Sequence, residues 1–162
     1  MPYAPIVGTL AYVVEGDRVL MVHRSFRADD QHLGKFNGLG GKLEPGEDVV
    51  AGIRRELKEE AAIDATELRL RGTINWPGFG PNGEDWLGFV FVVDAFIGTP
   101  PDANEEGTLH WVPLAEVSSL PLWEGDYTWL PLVFDPAVGQ FHGVMPYVDG
   151  RPAGWSVSVL PA

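Results

Sequence analysis

Three carboxylates lie close together near the end of one predicted helix: Glu56, Glu59 and Glu60. Their spacing of i,i+3 and i,i+4 places them on one helical face, where like charges cost roughly 0.2–0.5 kcal/mol a pair. Negative charge is also unfavourable near a helix C-terminus. A bound Mg²⁺ would remove both costs, because it takes hard oxygen ligands and is commonly shared with substrate phosphates. The residues alone leave two interpretations open: a magnesium site, or a solvated acidic face.

The helix that carries these carboxylates is predicted over residues 47–61. Glu60 lies at the edge of its apolar stripe, where a free carboxylate would be partly desolvated unless it is compensated. Just upstream, residues 38–41 read Gly-Leu-Gly-Gly and are predicted to form a tight turn. We therefore expect the site to form around this turn and this helix, whose inward stripe consists of Val49, Val50, Ile53, Leu57 and Ala61.

Residues 41–63 resemble the Nudix box, the signature of the Nudix hydrolases. Ala62 is the one departure, since the family has glycine there, and at positive φ an alanine costs roughly 1–2 kcal/mol. The resemblance implies that Mg²⁺, with Mn²⁺ able to substitute, is held by the Gly41 carbonyl and the three carboxylates. It also implies that Glu47 and Arg55 support the structure. The matching pattern is Gly41-x5-Glu47-x7-Arg55-Glu56-Leu57-x-Glu59-Glu60-x-Ala62-Ile63.

Further site residues follow from the same resemblance. The family often supplies one more carboxylate from the loop around residues 104–107, and Glu106 is the better match there. Glu56 and Glu106 are therefore the two candidates for the general base that takes a proton from water. Apart from the resemblance, Arg24 closes the second predicted strand, where it either faces the substrate phosphates or is a plain surface cation. Lys42 is a further predicted substrate contact. The four histidines have no ligand spacing and are predicted to be structural or exposed.

A second informative segment begins at Trp123. Taken alone, Trp123 and Asp126 would be a core anchor and a helix N-cap. Together they could also recognise a purine, since an indole stacks on a base and a carboxyl pairs with its edge. With Asn37 ahead of the box and residues 141–143, this segment resembles the MutT-like oxidised-purine nucleoside triphosphatases. Asn37, Trp123 and Asp126 are thus predicted base contacts, although Gly125 stands where mammalian members have an aspartate, which leaves the base preference open.

The implied reaction is metal-assisted hydrolysis of a nucleoside triphosphate such as 8-oxo-dGTP to the monophosphate and pyrophosphate. Its cellular role would be to keep oxidised nucleotides out of DNA synthesis, a form of DNA repair. Alternatives within the family are another modified dNTP, dihydroneopterin triphosphate or ADP-ribose as substrate. Two more distant alternatives are a non-catalytic domain that senses a nucleotide, and an acidic structural domain that binds no metal.

The composition of the 162 residues limits the possible partners. A net charge of −12 argues against a nucleic-acid polymer or an anionic membrane, but not against a small nucleotide bound through metal ions. The absence of cysteine excludes disulfides, thiolate zinc sites and a cysteine nucleophile. No signal peptide or membrane-spanning run is visible, so a cytoplasmic protein is expected, as a monomer or a homodimer.

The predicted elements fit a single domain over residues 1–162. Residues 5–14 are apolar and rich in β-branched side chains, which predicts a strand, and the most apolar run, 86–97, is predicted to be a central strand. A second helix is predicted over 125–134, after one helical turn at 114–117. Strands around two helices indicate an α+β protein with a mixed sheet. The resemblance implies the same Nudix fold, an α/β/α sandwich, and the remaining strands are predicted at 5–14, 18–24, 68–76, 108–112, 140–147 and 154–160.

Overall fold

The computed structural model describes all residues, 1–162. It contains two α-helices and one 3-10 helix, none of which is long and apolar enough to cross a membrane. The helices are α1 (Val49–Ala61), α2 (Asp126–Phe134) and the 3-10 helix (Leu114–Ser119). The strands are β1 (Ile6–Glu15), β2 (Arg18–Arg24), β3 (Phe36–Asn37), β4 (Leu39–Lys42), β5 (Asp64–Trp76), β6 (Trp86–Ile97), β7 (Gly107–Pro113), β8 (Val138–Val144), β9 (Tyr147–Val148), β10 (Arg151–Pro152) and β11 (Ser156–Pro161).

Nine of the strands form one mixed sheet in the order β11-β8-β5-β6-β1-β2-β3, with β4 also paired to β1 and β7 to β2. The predicted central strand is indeed central, since β6 runs parallel to β1 on one side and antiparallel to β5 on the other. Strands β1 and β2 pair only near their hairpin, and β4 takes over the pairing with β1 beyond it. This divergence opens a space beside β1 that is lined by several of the predicted site residues.

Each face of the sheet is covered by one helix. Successive side chains of a strand point to opposite faces, so Tyr12 and Val92 pack in the core beneath α2, whereas Val13 and Val93 pack in the core beneath α1. The resulting α/β/α sandwich with a mixed sheet confirms the expected fold class. The helices contribute Trp129, Leu130 and Val133 from α2, and Ile53, Leu57 and Ala61 from α1.

The predicted tight turn at residues 38–41 is wrong, because residues 39–42 form strand β4 against β1. Gly40 permits this pairing: a Cβ there would lie 1.9 Å from the carbonyl oxygen of Thr9. The first helix begins two residues later than expected, since Asp48 is its N-cap and accepts hydrogen bonds from Val50 N–H and Ala51 N–H. Strand β5 begins four residues earlier than predicted and contains bulges, which weaken its alternating pattern.

Helix α1 ends at the position where the box departs from the family pattern. Ala62 has φ 54° and ψ 34°, the left-handed conformation that favours glycine, and its N–H donates to the carbonyl of Lys58. The cost expected for alanine at this position therefore applies. The side chain of Ala62 is exposed, so the departure has no packing consequence.

Candidate active site

Arg55 organises the acidic end of α1. It donates two hydrogen bonds to Glu47, from Nε to Oε2 at 3.0 Å and from Nη2 to Oε1 at 2.7 Å. Its Nη2 also donates to the carbonyl of Lys42, which ties the helix to β4. Glu47 and Arg55, which the resemblance assigns to structural support, thus form a hydrogen-bonded ion pair in this structure.

Two of the three predicted metal-binding carboxylates also contact this arginine. Nη1 of Arg55 donates to Oε1 of Glu56 at 3.0 Å and to Oε2 of Glu59 at 3.3 Å. In this arrangement no three acidic or histidine side chains converge on one metal position. Glu59 is more than half exposed, whereas Glu56 is largely buried, so Glu59 is free to turn away from Arg55.

Glu60 projects inward from the same helical face. Its Oε2 accepts a hydrogen bond from Gly40 N–H at 3.1 Å, and the carboxylate is partly buried. Burial raises the pKa of Glu60 to about 9, with further contributions from the nearby charges of Glu106 and Glu56. A carboxylate in such surroundings favours either a proton or a cation as its partner.

Glu106 reaches this region from the loop before β7. Asn104 holds that loop in place, because its Nδ2 donates to the carbonyl of Glu60 and its Oδ1 accepts from Glu106 N–H. Oε2 of Glu106 lies 3.2 Å from Nη1 of Arg24. Burial raises the pKa of Glu106, although the charge of Arg24 opposes that shift. Arg24 therefore faces the site and is not a plain surface cation.

The donor set fits a hard divalent cation. The candidate ligands are all oxygens, which suits Mg²⁺ or Mn²⁺ and disfavours softer metals. A Cβ on Gly41 would lie 2.6 Å from Oε1 of Glu56, so the absent side chain allows this carboxylate to approach the backbone of β4. The crowded charges around Glu60 supply the electrostatic reason for a cation to bind here.

Two adjoining cavities divide the predicted site residues between them. An acidic cavity of about 490 Å³ is lined by Glu56, Glu59 and Glu60 together with Glu106. A second cavity, of about 360 Å³, lies over the α2 face of the sheet and is also lined by Glu106. All five predicted substrate contacts line this second cavity, as does Gly41: Arg24, Asn37, Lys42, Trp123 and Asp126.

The wall of the second cavity presents a buried amide donor without a partner, close to a carboxylate whose pKa is raised. Nδ2 of Asn37 and Nε1 of Trp129 are both buried, and neither has an acceptor at normal hydrogen-bond geometry. Beside them, burial raises the pKa of Asp126 to about 7, while an interaction with the nearby indole N–H of Trp129 and the charge of Lys35 oppose the shift. Asp126 is not an N-cap, because Gly125 occupies that position and no side chain caps the helix. The unpaired buried donor of Asn37 indicates that a polar ligand binds here.

With this geometry established, the chain can be compared with known proteins. Its sequence matches the NUDIX domain over residues 3–133. The chain belongs to the Nudix hydrolase family. It is 35% identical over 127 residues to the oxidized purine nucleoside triphosphate hydrolase of Mus musculus, covering 77% of each chain. An uncharacterized Nudix hydrolase of Bacillus subtilis, YvcI, is 30% identical over 135 residues, with 81% of this chain and 80% of the relative covered.

Solved structures place this Nudix hydrolase in the same fold. The crystal structure of a MutT protein from Bacillus halodurans superposes with a TM-score of 0.82 at 25% identity, covering 94% of this chain and 97% of that one. The NUDIX domain of Shewanella oneidensis NrtR, solved with ADP-ribose, matches with a TM-score of 0.65 at 18% identity, covering 80% and 86% of the two chains. At that level of identity the likeness concerns the fold alone.

The structure adds residues to the Nudix site that the sequence did not single out. Four aromatic side chains join Trp123 around the second cavity, and His32 lies beside it as well. Trp123 donates its indole N–H to Nδ1 of His32 at 2.6 Å. The sequence gives a signal for two of these aromatics, Trp76 and Phe79, because they lie in a loop rich in glycine and proline. Aromatic residues in such a loop suggest a binding function. The four are Trp76, Phe79, Trp86 and Trp129.

One part of the sequence resemblance lies outside the cavity. Phe141 is fully buried in the core beneath α2, and Nδ1 of His142 lies 2.7 Å from Oγ1 of Thr73 on β5. These residues join β8 to the sheet and do not line the second cavity. The similarity of residues 141–143 to the MutT-like proteins therefore reflects packing.

Proposed function

We propose that this Nudix hydrolase hydrolyses oxidised purine nucleoside triphosphates, such as 8-oxo-dGTP, to the monophosphate and pyrophosphate, with Mg²⁺ as its cofactor. The cellular role would be removal of damaged nucleotides from the precursor pool. The names of the mouse relative and of a zebrafish relative, 33% identical over 127 residues, support this substrate class.

The observation that carries the proposal is the wall of the second cavity at Asn37, Trp129 and Asp126. An oxidised purine carries an additional carbonyl oxygen at its edge, and the unpaired Nδ2 of Asn37 could hydrogen-bond to such an acceptor. Asp126, with a pKa of about 7, can accept from a ring N–H when ionised or donate when protonated. A site built to pair polar groups discriminates strongly against analogues that leave those groups unpaired.

The aromatic residues would hold the base between flat surfaces. Trp123 makes an edge-to-face contact with Phe79, at 5.1 Å between ring centroids, and Lys35 Nζ lies 5.2 Å from the Trp123 ring centroid. The indole is therefore fixed before a ligand arrives. Stacking of a base on such a ring contributes about 1–3 kcal/mol without selecting among bases.

The phosphates would extend from the base toward Glu106, which lines both cavities. Arg24 and Lys42 supply positive charge along that path. When bound by Glu56, Glu59, Glu60 and the Gly41 carbonyl, Mg²⁺ would neutralise phosphate charge and activate water. In the bond-breaking step, water oxygen attaches to phosphorus, the bridging oxygen leaves with the pyrophosphate or the monophosphate, and a carboxylate takes the proton of the water.

Glu106 suits the role of that base better than Glu56. Each of the two carboxylates lies beside an arginine: Oε1 of Glu56 accepts from Arg55 at 3.0 Å, and Oε2 of Glu106 lies 3.2 Å from Nη1 of Arg24. Burial raises the pKa of Glu106, and a carboxylate with a raised pKa accepts a proton more effectively. Its place between the two cavities also brings it to the path that the phosphates would follow.

The test is a comparison of kcat/KM for 8-oxo-dGTP and dGTP in the presence of Mg²⁺, with both products measured. A preference of at least about tenfold, equivalent to about 1.4 kcal/mol of transition-state stabilisation, is expected. Asn37→Ala should reduce this preference, whereas Asn75→Ala, a substitution outside the cavity, should leave it unchanged. Equal turnover of the two nucleotides would contradict the proposed base specificity.

A further inference from the structure

We infer that Asp30 and His32 are positioning residues that couple the base end of the site to its phosphate end. Both lie in the loop of residues 25–35, which connects β2 to β3. The inference rests on the proposed function for the roles of Trp123 and Glu106, and extends it to a loop that had no predicted role. A continuous series of hydrogen bonds and ion pairs through the loop carries the argument.

The first half of the series runs from the phosphate end to Asp30. Oε2 of Glu106 lies 3.2 Å from Nη1 of Arg24, and Nε of the same guanidinium donates to Oδ2 of Asp30 at 2.8 Å. The side chain of Asp30 is only 5% exposed, so its ion pair with Arg24 is shielded from water. Asp30 and Glu106 thus hold one arginine from two sides and determine where its positive charge lies.

The second half runs from Asp30 to the base end. Oδ1 of Asp30 accepts from the backbone N–H of His32 at 2.9 Å. Nδ1 of His32 in turn accepts the indole N–H of Trp123 at 2.6 Å. One carboxylate therefore uses one oxygen to hold the arginine of the phosphate end and the other to hold the residue that orients the stacking indole.

Backbone contacts attach the same loop to the segments it connects. At its beginning, Ser25 N–H and Phe26 N–H both donate to the carbonyl of Glu106. After its end, Phe36 N–H donates to the carbonyl of Pro121, just before Trp123. Since both segments are fixed to the loop, a shift at one end is transmitted to the other through a short, packed path.

The experiment measures kcat and KM for the nucleoside triphosphate that the wild-type protein turns over best. Asp30→Ala should lower kcat and raise KM, each by about tenfold, the effect of losing a buried hydrogen bond. His32→Phe retains a ring beside Trp123 but removes the acceptor, and should raise KM more than it lowers kcat. His32→Gln restores an acceptor and should recover most of the KM. Asp29→Asn, on an exposed neighbour in the loop, is the matched control.

Coupling is tested by the double variant. If Asp30 acts on the base end through His32, the KM of Asp30→Ala/His32→Phe should be no higher than that of Asp30→Ala alone. Effects on KM that multiply would overturn the inference, as would wild-type kcat and KM for Asp30→Ala.

Asp30→Asn retains an oxygen that can accept from His32 N–H but removes the negative charge that pairs with Arg24. It should therefore lower kcat with a smaller change in KM, and it provides a second variant if the alanine protein does not fold.

A ligand-free measurement separates this inference from the proposed function. The indole N–H resonance of Trp123, assigned with Trp123→Phe, reports its hydrogen bond to His32. Asp30→Ala should move this resonance in the same direction as His32→Phe, and an unchanged resonance would overturn the link. If the wild-type protein hydrolyses no nucleoside triphosphate, the proposed function fails while the resonance still decides whether Asp30 positions Trp123.

Discussion

The carboxylate of Glu60 lies where burial and neighbouring negative charges disfavour its ionised form. A substitution at Glu60 is therefore the most direct test of the proposed metal site. Burial and the charges of Glu106 and Glu56 raise its pKa to about 9. Glu60→Gln keeps an acceptor for Gly40 N–H but removes the charge. We expect Mg²⁺-dependent kcat/KM to fall at least about 100-fold, while the melting temperature without metal stays the same or rises.

The control for this substitution is Glu67→Gln, on an exposed position of β5. It removes one negative charge from the same protein at a distance from the acidic cavity. Near-normal Mg²⁺-dependent activity of Glu60→Gln would remove Glu60 from the proposed metal site. Glu59→Gln should behave like Glu60→Gln in turnover, because the resemblance assigns it the same role.

Asp126 should make stability depend on pH. Its pKa is about 7 in the folded protein and about 3.9 in an unfolded chain. The folded state therefore holds the proton of Asp126 more tightly than the unfolded chain does. The resulting contribution to the free energy of unfolding is complete below about pH 4 and is lost as the pH rises through 7. Relative to Asp126→Asn, the wild-type protein should lose about 2–3 kcal/mol of unfolding free energy between pH 5 and pH 8.

Urea denaturation at both pH values measures this difference. Asp17→Asn, on the exposed hairpin turn between β1 and β2, is the control for removal of a carboxylate. A constant difference between the wild type and Asp126→Asn would show that Asp126 stays ionised in the folded protein. In that case Asp126 could accept hydrogen bonds from a base at neutral pH but could not donate one.

At the scale of residues, the sequence could indicate candidate site residues only where they belong to a recognisable pattern. Asn37, Trp123 and Asp126, the predicted base contacts, all line the second cavity, and their contact with a base stays a prediction. Asp30 and His32 were missed, because the first is an ordinary loop aspartate and the second lies 91 positions from its partner Trp123. Interactions between distant loops leave no local periodicity or spacing from which they could be predicted.

At the scale of elements, Arg71 holds the end of α2 against β8. Arg71 is 5% exposed, and its guanidinium donates only to backbone carbonyls. Arg71→Met should lower the unfolding free energy by at least about 3 kcal/mol, because several buried carbonyls lose their donor at once. Arg69→Met is the matched control and should cost less than about 1 kcal/mol, since Arg69 pairs with Asp94 at the surface. The carbonyls bound by Arg71 belong to Leu132, Val133, Asp135, Val138 and Gly139.

Urea denaturation of the two arginine variants tests this assignment. Equal losses for Arg71→Met and Arg69→Met would show that water replaces the buried donor without penalty. Nothing in the local sequence distinguishes the two arginines, which alternate along the same strand. The β-bulge between Leu70 and Gly72, with β8 paired beside β5 and the end of α2 nearby, makes Arg71 a structural residue.

The end of α1 offers a substitution that should stabilise the protein. Ala62 has φ 54° and is exposed, so Ala62→Gly removes the steric cost of a left-handed alanine. The gain should be about 1 kcal/mol, reduced somewhat by the greater freedom of glycine in the unfolded chain. Thermal denaturation measures it, and kcat should remain at the wild-type value. A loss of stability would mean that the surrounding structure already compensates for this strain.

Hydrophobic patterns along the sequence predicted the long helices and strands well. They predicted the short strands poorly. The apolar stripe of α1 and the apolar run of β6 are strong local signals. Strand β4 was mistaken for a turn, because its two glycines are typical of turns and here serve the close pairing with β1. Its neighbour β3 has two residues, too few for any periodicity, and forms only because β2 presents an open edge at that point.

At the scale of the whole molecule, a net charge of −12 should lower stability through repulsion among the carboxylates. Raising NaCl from 20 to 200 mM at pH 7 shortens the screening length from about 20 Å to about 7 Å, less than the width of the domain. We expect the melting temperature to rise by about 2–5 °C. The same change at pH 4.5, near the isoelectric point, should have little effect, because the net charge there is close to zero. An equal rise at both pH values would attribute the stabilisation to specific ion binding rather than to screening of the acidic surface.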